Sequence, residues 1–116
     1  MREQESVLWA NVEEYLELGE AAFISKKFNS AVTLFFKAIS AGADLFLLKK
    51  EGEVPSSHTQ RFRTVQEKYP QLYQILDKDF PFYQDSYTHR MNKEAAEVLR
   101  EDAYIIKEMV KAISNQ

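Results

Sequence analysis

The chain has 116 residues, a net charge of −3, 45% hydrophobic residues and no cysteine. That length predicts a single domain over residues 1–116, able to fold without a disulfide or a metal, and the missing cysteine excludes thiolate–zinc sites and thiol catalysis. The acidic balance argues against tight, sequence-independent binding to a nucleic-acid backbone, which needs a basic surface to release counterions.

Only three Gly and three Pro interrupt a helical periodicity that runs the length of the chain. The opening MREQESVLWANVEEYLELGE mixes charge into its apolar positions, so it reads as a helix and not as a signal peptide. From Ser6 to Ile24 the residues Leu8, Val12, Tyr15, Leu16, Gly19, Ala22 and Phe23 recur at three and four, the stripe of an amphipathic helix. Lys26 to Ser30 is a polar break in which Asn29 or Ser30 is expected to cap a second helix running to about Lys50. Its apolar run, Ala31 to Leu48, contains Lys37 and Asp44, and a membrane span would bury both charges; a core helix is the expectation.

Gly42 inside this helix costs about 1 kcal/mol relative to Ala, so something must compensate. Ala38, Ala41, Gly42 and Ala43 cover more than one face, which predicts neighbours on two sides, within one chain or across a dimer. Trp9 and Phe46 lie off the main stripes, either marking an interface or completing a second core face. Leu18 and Gly19, followed by Ala31, Phe35 and Ala38, resemble one tetratricopeptide unit. Solenoids need about three or more stacked copies, and no later segment repeats the pattern, so the match reflects two closely approaching antiparallel helices.

Gly52 and Pro55 end the second helix. Ser57-His58-Thr59-Gln60 fits a capping box, which opens a third helix at His58 and turns Phe62 and Val65 inward. Tyr69-Pro70 restarts the chain as a fourth helix with a stripe of Leu72, Tyr73, Leu76 and Phe80, which Pro81 kinks or ends. Gln84 to Met91 is a polar loop, and Asn92 caps a last helix whose Ala96, Leu99, Ala103, Ile106, Val110 and Ile113 form a seam. The fold class is therefore all-α, an up-and-down bundle of four or five helices.

The stretch from Phe28 to His89 reads FNSAVTLFFKAISAGADLFLLKKEGEVPSSHTQRF, then a helix, then FPFYQDSYTH. In that order of parts the chain resembles the HEPN family of small helical nucleotide- and RNA-handling domains, over nearly its whole length. The resemblance implies a HEPN-like bundle, a homodimer with its cleft between subunits, and association with RNA or a nucleotide. HEPN ribonucleases carry an Arg, four to six residues and then a His where the penultimate helix meets its loop. Here that place reads Tyr83-Gln84-Asp85-Ser86-Tyr87-Thr88-His89, with His present and Tyr83 where the Arg would stand.

Metal-free RNA cleavage needs a group to move the 2′-hydroxyl proton and a fixed cation to stabilise the charge that develops on phosphorus. His89 suits the first task; a neutral Tyr does not suit the second, which leaves Arg90 as the substitute. The alternatives are a metal-independent ribonuclease of the toxin–antitoxin kind, with His89 and Arg90 catalytic, or a loop His without catalytic duty. Tyr83, Asp85, Ser86 and Tyr87 also resemble a family branch whose members accompany minimal nucleotidyltransferases. That likeness implies a substrate groove shared with such a partner; the plainer reading has Tyr87 packed on the bundle and Ser86 capping a turn.

His58, in a first turn where the helix dipole disfavours a cation, is expected to be neutral. The resemblance gives it a place in packing or beside Arg61 in the groove. Two His residues without acidic or thiol partners at ligand spacing call for no metal, and no organic cofactor is expected. Lys49, Lys50, Arg61, Arg63 and Lys68 either form a local basic patch for an anionic ligand or one RNA strand, or are ordinary solvated charges. The expectation is thus a cytoplasmic homodimeric module, nucleotide-binding or RNA-associated, working with a minimal nucleotidyltransferase and not with a membrane. The rivals are the nuclease and a purely structural dimerisation or adaptor bundle.

Overall fold

In the computed structural model, which describes residues 3–113, five helices follow one another without a strand among the described residues. They are α1 (Glu3–Ile24), α2 (Phe28–Glu51), α3 (His58–Lys68), α4 (Pro70–Asp85) and α5 (Lys93–Ile113). Helix α2 is the axis of the bundle. It packs chiefly on α1 and α5, and also on α4. Fourteen of its 24 residues are buried, so it is apolar nearly all round, as expected of a helix enclosed by others. By length and composition it is apolar enough to cross a bilayer, and most of that stretch is buried inside the bundle.

The small residues explain how α2 is enclosed. A Cβ on Gly42 would lie 2.6 Å from Cγ2 of Ile106 on α5 and 3.9 Å from Cγ2 of Val12 on α1. One on Gly19 would lie 2.6 Å from Cε1 of Phe35. The neighbours that this pattern requires on two sides are therefore α1 and α5 of the same chain. Phe46 is buried with its ring edge-on to Tyr69 at 5.0 Å, and Trp9 is half-buried under the Lys107 ammonium, so both complete core faces.

The helix ends follow local chemistry, with three differences from expectation. Helix α1 closes on Lys26 at a φ of 60°, where the Lys27 amide donates to the Ala22 carbonyl at 2.8 Å and Lys26 to Phe23 at 3.0 Å. Helix α2 begins after Lys27 with no side-chain cap, because Asn29 lies inside its first turn and bonds elsewhere. Gly52, at a φ of 89°, ends it as expected. Ser57 Oγ accepts from the Gln60 amide at 3.1 Å, but Gln60 Oε1 accepts from the Ser56 amide at 2.6 Å, one residue before the Ser57 amide that a regular box uses. Helix α4 contains Pro81 and runs on to Asp85, so the polar loop begins later than expected. Asn92 Oδ1 caps α5 by accepting from the Ala95 amide at 2.8 Å, and the α5 seam from Ala96 to Val110 is buried.

A cleft beside His58 and a turn held by Asn29

Asp44 is the acid in the middle of α2, surrounded by Leu45, Phe46 and other buried residues, and it needs a partner to remain there. Arg61 of α3 supplies one. Its Nε lies 2.7 Å from Asp44 Oδ1 and its Nη2 2.9 Å from Oδ2, a bidentate pair at 8–9% exposure. The third nitrogen, Nη1, is 2.6 Å from Nδ1 of His58, one helical turn back. A guanidinium only donates, so His58 Nδ1 must accept, which fixes the neutral tautomer and leaves Nε2–H as the ring's donor. Burial, then the Arg61 charge, lowers the His58 pKa from its ordinary value.

Asp44 and His58, the two residues that Arg61 joins, line a cavity of about 230 Å³. Helix α1 contributes Asn11 and Tyr15, α2 contributes Lys37, Ser40 and Asp44 at helical spacing, α3 contributes His58 and α4 contributes Tyr83. The Tyr83 ring is stacked on Phe36 with centroids 4.7 Å apart, and both residues line the space, which gives it an aromatic side. Its hydroxyl lies 2.8 Å from that of Tyr87, and that bond, with burial, pushes the Tyr83 phenol up to about 12. Ser40 Oγ is sealed from solvent and has no hydrogen-bond partner.

Two of the residues singled out from the sequence, His58 and Tyr83, thus line one cavity, with Arg61 bonded to His58 and Tyr87 to Tyr83. Arg61 is not an open cation, however. It is buried and committed to Asp44 and His58. The wider basic cluster is also largely neutralised, Lys49 by Glu5 at 3.4 Å and Lys68 by Glu51 at 2.7 Å.

The other candidates lie on the turn after α4, and none of Asp85, Ser86, His89 and Arg90 lines the cavity. Asn29 holds this turn. Its Nδ2 donates to the Ser86 carbonyl at 2.9 Å and the His89 carbonyl at 2.7 Å, while its Oδ1 accepts from the Met91 amide at 2.9 Å. Ser86 turns inward, its hydroxyl 2.6 Å from the Tyr83 carbonyl and 3.0 Å from Thr33 Oγ1. The Asp85 carbonyl accepts from the His89 amide at 2.8 Å, and Asp85 itself is exposed. His89 and Arg90 are exposed, and the His89 ring meets Thr88 Oγ1 at 2.9 Å. Tyr87 is 68% exposed, so it does not bury its ring in the bundle.

Sequence reasoning missed Asn11, Tyr15, Lys37 and Ser40 as cavity residues and Asn29 as the holder of the turn. One signal was present: Lys37, Ser40 and Asp44 sit three and four apart within the most apolar helix, a polar stripe that a core helix carries only if it faces something polar. Among the described residues, no group of three His, Asp or Glu side chains is placed to hold a metal ion. Compared with models of known families, with curated proteins and with solved structures, the chain has no match.

Proposed function

We propose that this chain is a nucleotide- or RNA-associated helical module of the HEPN kind, which binds and does not cut. The observation that carries the reading is the cleft in which the Arg61-oriented His58 faces Tyr83 across about 230 Å³. A flat aromatic side with several hydrogen-bonding groups around it is the chemistry that holds an unstacked base. Against cutting stands the turn after α4, where His89 and Arg90 are exposed and the position expected to carry a cation is Tyr83, stacked on Phe36. The family resemblance adds two further elements to the proposal, a homodimer and a minimal nucleotidyltransferase as partner.

Fluorescence anisotropy with a labelled, mixed-sequence oligoribonucleotide tests the reading. Binding by the wild type, weakened about tenfold or more by Tyr83→Ala, is expected. Absence of binding to any oligoribonucleotide or free nucleotide overturns it. Light scattering that returns a monomer at micromolar concentration removes the homodimer, and failure to co-purify with a co-expressed minimal nucleotidyltransferase removes that partner.

A further inference from the structure

The cavity has a charge count and a size that narrow what it takes. Its charged lining residues are Lys37 and Asp44, and the second is cancelled by Arg61. His58 is held neutral by the same Arg61. The sum over Lys37, Asp44, Arg61 and His58 is one positive charge, carried by the ammonium of Lys37, which is an exposed residue. Sites that grip polyphosphates converge several cations, or a cation with a run of backbone amides, on the anion. Nothing in the lining does so here.

Size points the same way. Drug-sized ligands occupy pockets of about 300–1,000 Å³. A space of about 230 Å³ suits one ring system, with whatever is attached to that ring left outside.

The interior of the cavity has unmet hydrogen-bonding capacity. His58 has its Nδ1 occupied and its tautomer set, so the ring brings one donor, Nε2–H, to the wall. A planar group carrying a carbonyl or ring-nitrogen acceptor, placed beside Tyr83, would satisfy that donor.

We infer that the cavity is a base pocket: it receives one unstacked nucleobase, hydrogen-bonded by His58 Nε2–H beside Tyr83, with the sugar and a single phosphate outside beside Lys37. The inference rests on the RNA- or nucleotide-associated reading and specifies what that site recognises. The base provides the affinity, and added phosphates contribute little.

The test is a set of NMR titrations of the full chain with the four ribonucleosides, their 5′-monophosphates and their 5′-triphosphates, at low and high salt. For the preferred base, the nucleoside and its monophosphate should bind within about threefold of each other, and the triphosphate less than about tenfold tighter than the nucleoside. Tyr83→Ala removes the ring beside the base and should weaken nucleoside binding by about tenfold or more. His58→Phe removes the donor and should weaken it by about three- to tenfold, the worth of one hydrogen bond, with circular dichroism as the check on the folding of both variants. A triphosphate that binds a hundredfold tighter than its nucleoside, and loses that gain in salt, overturns the base pocket but leaves the module's proposed function standing. Nucleoside binding untouched by Tyr83→Ala and His58→Phe also overturns the pocket. Binding of no nucleoside, nucleotide or oligoribonucleotide overturns both.

Discussion

Arg61 closes two arms of its guanidinium on Asp44 across a helix–helix contact, at 2.7 and 2.9 Å, with both residues buried. Removing one partner strands the other as a buried charge, which costs about 3–5 kcal/mol, whereas replacing both by apolar groups is often neutral. Arg61→Met and Asp44→Leu should therefore each destabilise strongly in urea unfolding. The double variant should recover most of the loss, and a double variant as unstable as the sum of the singles would contradict the pairing. Arg61→Met should also release the His58 tautomer, raising its pKa in an NMR titration toward the ordinary value.

The contact of Gly42 with Ile106 predicts the cost of bulk in α2. Gly42→Leu should destabilise by about 1–3 kcal/mol, because the added carbons meet Cγ2 of Ile106 in a close-packed core. Trimming the obstacle with Ile106→Ala in the same chain should restore part of the loss, and thermal melts of the two singles and the double measure that coupling. Strictly additive effects would mean that the two positions do not touch.

Asp79 of α4 is fully buried against Asp102 of α5, and neither of its oxygens meets an N–H or hydroxyl donor. Burial first, then Asp102, pushes the Asp79 carboxyl up to about 9, so the two carboxyls hold a proton between them; Lys78 Nζ lies 2.9 Å from Asp102 Oδ2. The native state retains a proton that the unfolded chain releases above about pH 4. Stability from this group is therefore complete below that pH and declines as pH rises toward 9. Asp79→Asn keeps the shape and removes the linkage. It should flatten the decline between about pH 5 and 9 and stabilise the protein at pH 8 by about 1–3 kcal/mol. A variant whose urea midpoint falls with pH as steeply as the wild type's would place the linkage elsewhere.

Catalysis gives a fourth test. Metal-free incubation of a mixed RNA pool should show little cleavage by the wild type and no change with His89→Ala. Tyr83→Arg, which restores the nuclease spacing, should raise cleavage, since one oriented electrostatic partner is commonly worth a hundredfold or more. Robust wild-type cleavage abolished by His89→Ala would establish the nuclease reading in place of the binding module, with Arg90 as the source of charge.

What could be read from the sequence was what is local. The α1 stripe, the αL stop at Gly52, the Ser57 and Asn92 caps and the α5 seam each depend on residues within one or two turns, so spacing alone exposes them. The cleft depends on contacts between elements. Asp44 and Arg61 are 17 residues apart, and Asn29 reaches carbonyls 57 and 60 residues away. No periodicity reports such pairings. Asn29 was misread for a physical reason: its side chain suits a helix cap, but it stands inside the first turn of α2, with its amide turned toward the chain after α4. Arg61 stands among Lys49, Lys50, Arg63 and Lys68 in the sequence, where nothing local marks it as buried, and only the approach of α3 to α2 pairs it with Asp44.

The burial of α2 also orders events in time. Helix α1 is made just before it and can cover one face at once, but the face around Gly42 waits for Ile106 in the last helix. At a synthesis rate of about 5–20 residues per second, the nascent chain carries that uncovered helix for roughly 3–11 seconds. For that interval it presents a segment apolar enough for a bilayer. The emergence of α5 from the ribosome is thus the step that commits α2 to the interior of the protein and withdraws it from chaperones, membranes and other nascent chains.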